Sequence, residues 1–102
     1  MGIVGNAKSF LTGQKNVATA GVAETVVAAS TPIPEGYEVT VQAKEGNTGI
    51  IYLAESAAKA QDPTQAKTMK KTDSVTLRVD DLVKIWIDSS VDGEGVEYIV
   101  ER

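Results

Sequence analysis

Three stretches carry residue types that could do chemistry. The first is EGNTGIIYLAES, Glu45 to Ser56, where a Gly-Asn-Thr-Gly cluster runs into an apolar burst. A phosphate-cradling loop needs Gly, four residues, then Gly-Lys-Ser/Thr opening a helix. Here Gly46 and Gly49 are three apart, no lysine follows, and Ile50 to Leu53 reads as strand. A dinucleotide fingerprint fails for the same reason. Gly46, Asn47 and Gly49 all tolerate positive φ and sit between two patterned segments, so a hairpin turn is expected.

The second stretch is DSSVDGEG. Asp88, Ser90, Asp92 and Gly93 match positions 1, 3, 5 and 6 of a calcium loop, but position 12 is Ile99 and no helix flanks it. A loop between the last two strands is the simpler reading, with Gly93 and Gly95 at its bend. The third group is the carboxylates. Asp80 and Asp81 are adjacent and would point to opposite faces of a strand. Glu97 and Glu101 would share a face, but glycosidic chemistry needs two carboxylates fixed across a cleft. With no histidine and no cysteine, the chain lacks the commonest general base, thiolate metal sites and disulfides. No catalytic residue, cofactor or metal site is expected.

The elements that must position these residues follow a period of two. In YEVTVQAK, Tyr37, Val39, Val41 and Ala43 point one way and Glu38, Thr40, Gln42 and Lys44 the other. SVTLRVD places Val75, Leu77 and Val79 inward, and VKIWIDS does so with Val83, Ile85 and Ile87. VEYIVER closes with Val96, Tyr98 and Val100 inward. QKNVATA and ETVVAAS are weaker strands, with Gly21 at a turn between them. Pro32, Pro34 and Gly36 then break regular structure. With GIIYLAE the count is about seven short, mainly antiparallel strands, the spacing of a single small β-sandwich or barrel. The all-β domain is expected over residues 14–102, behind a flexible N-terminal arm of residues 1–13. Residues 54–73 are expected to form a long polar surface excursion, with a helical turn limited by Pro63. DDLVK suggests a tight turn between Val79 and Val83.

The 102 residues suffice for one domain with its own core. A net charge of −4 disfavours nucleic acid, whose binding rests on neutralising phosphates. Lys67, Lys70 and Lys71 read as a solvated loop. No apolar run is long enough to span a membrane. Met1-Gly2 lacks the Ser or Thr that myristoylation wants, since Asn6 stands there, and no signal peptide is read at the start. Trp86 falls on the face opposite Ile85 and Ile87. It could pack under the 54–73 excursion, lie between buried layers, or anchor an interface.

From Gly13 onward the segment order resembles a small β-domain of tailed-phage virion proteins. GQKNVATAGVAETVVAAS is similar to its opening strands. TPIPEGYEVTVQAKEGNTGIIYLAES is similar to its strand, Asn-Thr-Gly turn and strand, and KTDSVTLRVDDLVKIWIDSSVDGEGVEYIVER to its closing three. The resemblance implies a virion structural protein, a capsid decoration or cement protein or a head–tail component. It would act as a symmetric homo-oligomer on the major capsid protein or other virion proteins. The long 54–73 segment departs from the usual spacing. Ile3, Val4, Phe10, Leu11 and Trp86 are the expected contact residues, because an exposed apolar arm calls for a partner. The alternative is a carbohydrate- or cell-surface-binding module using Trp86 or Tyr52 as a stacking platform. A small enzyme ranks last.

Overall fold

Alternating apolar residues give most of these segments one face to bury, and the chain buries them between two sheets. The structure is a computed structural model, and it describes residues 10–102. In chain order the elements are β1 (Phe10–Asn16), β2 (Glu24–Thr25), β3 (Glu38–Ala43), β4 (Ile51–Ala54), α1 (Ala57–Ala60), β5 (Lys67–Met69), β6 (Ser74–Leu77), a 3-10 turn (Leu82–Lys84), β7 (Trp86–Ser89) and β8 (Gly95–Glu101). Sheet one has the order β1-β8-β3-β6 and sheet two the order β2-β7-β4-β5, and every pairing is antiparallel. The sheets do not close into a barrel, so the fold is a sandwich.

The core lies between the sheets. Val39, Val41, Ala43, Val96 and Val100 come from sheet one, and Ile51, Leu53, Met69 and Ile87 from sheet two. Val17, Val26, Ile33, Leu82 and Ile85 enter from the connections. Val75, Leu77, Val79, Tyr37 and Tyr98 pack against this cluster and stay half-buried. The expected alternation holds through β3, β4, β6 and β8.

Several expectations change. Among the described residues the strands number eight, because the 54–73 excursion contains β5, an edge strand paired with β4. The helical turn expected ahead of Pro63 is α1, capped by the Ser56 hydroxyl, which accepts from the Lys59 amide. Val83 is not on a strand; it lies in the 3-10 turn that Asp81 caps, close to the tight turn read from DDLVK. ETVVAAS keeps only Glu24 and Thr25 as strand. The arm does not extend to residue 13: Phe10 to Gly13 already belong to β1 and pair with Glu101 to Tyr98.

The largest correction concerns EGNTG. It does not close a hairpin. The strand before it, β3, pairs with β8 and β6, while the strand after it, β4, pairs with β7 and β5. The segment is an arch that carries the chain from one sheet to the other. Neither Gly46 nor Gly49 has positive φ.

Candidate functional site

The arch does cradle an anion, and the anion is the protein's own. The Glu94 carboxylate accepts from the Thr48 amide at 2.7 Å, the Thr48 hydroxyl at 2.8 Å and the Gly49 amide at 2.8 Å. These donors, the Gly49 and Thr48 amides first, hold Glu94 below the usual glutamate range. The next amide, Ile50, donates to the Ser90 hydroxyl at 2.8 Å. Gly49 is required by close approach: a Cβ there would collide with Ser90 and Val91. Asn47 is buried beneath the arch. Its side-chain amide donates to the Gly95 carbonyl at 2.9 Å and accepts from the Gly95 N–H at 3.3 Å, in the manner of a neighbouring strand. A Cβ at Gly95 would overlap the backbone of Lys15 and Asn16.

The residues that resembled calcium ligands are engaged in the same way. Asp88, buried, accepts from the amides of Gly21 at 2.9 Å and Ser89 at 2.7 Å. Asp92 accepts from the Ala20 amide at 2.7 Å. These bonds pin the β1–β2 connection onto the β7–β8 loop rather than leaving oxygens convergent on one point. Among the described residues, no group of three or more acidic side chains is placed to hold a metal ion. Asp80 pairs with Lys84 at 2.7 Å. Asp81 bonds the Ser30 hydroxyl and the amides of Thr31 and Val83, and these donors lower its carboxyl from the ordinary value. Lys67, Lys70 and Lys71 are exposed along β5 and the turn after it.

Trp86 pairs with Thr25 on one side and Ala54 on the other, and it is half-buried on the outer face of sheet two. Tyr52, opposite Asp88, is its diagonal neighbour on that face. The α1 turn lies against β4 and β7, and its Ala60 is fully buried. The 54–73 segment thus does reach the strand that carries Trp86. On the outer face of sheet one, Thr12, Gln14, Thr40, Gln42, Glu97 and Ile99 line a shallow open groove. Glu97 and Glu101 share this face through their alternate positions on β8.

Of the expected contact residues, Ile3 and Val4 lie outside the described residues. Phe10 and Leu11 stand at the start of β1, 60% and 43% exposed. Trp86 belongs to the other sheet, so the structure does not bring it together with them. Among the described residues, β1 is an edge strand of seven residues. Its glycine, Gly13, lies under the ring of Tyr98, which a Cβ there would strike. The β1 backbone has a definite polarity. Val17, just past its end, donates to the Glu94 carbonyl at 2.8 Å, and its own carbonyl accepts from Gly93 at 2.7 Å. Backbone groups alternate direction along an antiparallel strand. Lys15, Gly13 and Leu11 therefore turn their amides and carbonyls toward β8, while Phe10, Thr12, Gln14 and Asn16 turn theirs outward.

Sequence reasoning missed Glu94, Asn47 and the strand formed by Phe10 to Gly13. Its one available signal was the Gly-Glu-Gly at Gly93–Gly95, an acid whose flanking residues free the backbone to approach another loop. Comparison with protein-family models, with curated proteins and with solved structures gave no match for this chain.

Proposed function

We propose that this chain is a virion structural module, of the capsid decoration or cement kind, that works through protein–protein contacts. One observation supports the reading. Glu94, Asp88 and Asp92, the acids that could have done chemistry, hold loops to one another, whereas Phe10 and Leu11, two of the four large apolar side chains left exposed among the described residues, both sit on the edge strand β1. An edge strand with exposed apolar residues is a template for another chain. The resemblance of the sequence to phage virion β-domains points the same way.

Cosedimentation tests it. The purified chain should pellet with assembled particles of the phage whose structural genes adjoin its own, and Phe10→Glu with Leu11→Glu should reduce the bound fraction. Absence of binding to heads, necks and tails alike would overturn the proposal.

The carbohydrate-binding alternative keeps one point in its favour: Tyr52 and Trp86 are diagonal neighbours on one sheet face. A stacked sugar would change tryptophan emission. A glycan panel that leaves Trp86 fluorescence unmoved would remove it.

A further inference from the structure

The four sheet edges of the described residues are not equal. β2 has two residues, β5 three and β6 four, and short strands are one way in which proteins blunt an edge. Exposed lysines flank β5, and the Arg78–Glu38 ion pair stands beside β6. β1 has seven residues, no proline and two exposed apolar side chains. Its one inward-side charge, Lys15, is neutralised by Glu24 at 2.8 Å.

We infer that β1 is the joint of a two-fold dimer, in which it pairs antiparallel with β1 of a second copy about an axis through Gly13. This rests on the reading of the chain as an assembling module and deepens it by naming the partner and the register.

The register follows from the backbone. The outward-facing residues are Phe10, Thr12, Gln14 and Asn16. With Gly13 opposite its own copy, Thr12 faces Gln14 of the second copy and Phe10 faces its Asn16. Each of these is a hydrogen-bonded pair, so every outward amide and carbonyl of β1 finds a partner. Moving the axis to Thr12 or Gln14 leaves one end of the strand unpaired. Moving it to a peptide between residues sets outward groups against inward ones.

The side chains agree with this register. No like charges meet. Leu11 faces the stem of Lys15 of the second copy, so the exposed leucine gains an aliphatic cover. The two Gly13 residues meet in a non-hydrogen-bonded pair, the closest approach in such a ladder, with the Tyr98 rings over them. An edge glycine covered by an aromatic ring is a known means of stabilising a strand interior. Sheet one then continues through the axis as β6-β3-β8-β1 followed by the same order reversed.

Sedimentation of the full chain over a dilution series reads the association. The expected result is a monomer–dimer equilibrium. Gln14→Pro removes an outward donor twice across the axis, at a position where an edge strand tolerates proline, and should weaken the dimer about 10- to 100-fold. Leu11→Cys with Lys15→Cys, in a chain with no other cysteine, should give an oxidised, covalent dimer without needing the proline variant to fold. A chain that stays monomeric up to millimolar concentration, a dimer indifferent to Gln14→Pro, or no crosslink from the cysteine pair would overturn the joint. No particle is present in these experiments, so they fail separately from the capsid reading.

Discussion

The two ends of β1 behave oppositely. Just past its C-terminal end, Val17 leads into loops whose polar groups hold one another: Asn47 on Gly95, Glu94 on Thr48 and Gly49, Ser90 on Ile50, Asp92 on Ala20. At its N-terminal end, Phe10 and Leu11 stand exposed beside backbone groups that face away from the sheet. One strand therefore joins a saturated region to an open one. The comparison teaches that glycine, aspartate and glutamate in a loop are no guide to ligand chemistry until their partners are counted. In this chain they replace the missing hairpin bonds of an arch.

The saturated end should be the easier to break. Gly95→Ala should have the largest effect, on the order of 4 kcal/mol or loss of folding, because its Cβ meets backbone that has nowhere to move. Gly46→Ala is its control, since a Cβ there meets nothing and φ is ordinary, and chemical denaturation should find it within about 0.5 kcal/mol of the parent. Asn47→Ala comes next. It strands the Gly95 N–H under the arch, while the Gly95 carbonyl keeps the Lys44 amide, and should cost about 1–2 kcal/mol in the same experiment.

Glu94 makes the third test, read as a dependence on pH. Its folded carboxyl lies below the usual range, so its contribution is complete above the ordinary glutamate value and is lost as pH falls through the depressed one. The difference in denaturation midpoint between the parent and Glu94→Gln should therefore be present at neutral pH and shrink in acid. A difference that grew on acidification would contradict the assigned bonds. The smallest effect on stability belongs to the open end. Phe10→Ser should change folding by no more than about 0.5 kcal/mol, and its consequence should appear in association instead.

Much of the fold was legible from period-two alternation. Val39, Val41, Ala43, Val96 and Val100 are core because their strands alternate cleanly and both neighbours are strands. Two of the edge strands, β5 and the first half of β1, were not legible. In Lys67–Met69 only Met69 is buried, so β5 has too few apolar positions to show a period. In Phe10–Asn16 the glycine reads as a break, and only the distant Tyr98 makes it a strand interior. The arch was mistaken for a hairpin because the two share turn residues. What separates them is the partner each flanking strand selects, a long-range property. Leu82 is fully buried although it sits in a turn, because the Asp81 cap folds that turn back onto the core.

The contrast between the two ends has one direct test, residue-resolved amide exchange across a dilution series. Thr48 and Gly49, bonded to Glu94, should be protected at every concentration. Thr12, Gln14 and Asn16 should exchange freely in dilute protein and become protected as the concentration rises. The account would be contradicted by outward β1 amides that exchange freely throughout, or by arch amides as fast as those of an open loop.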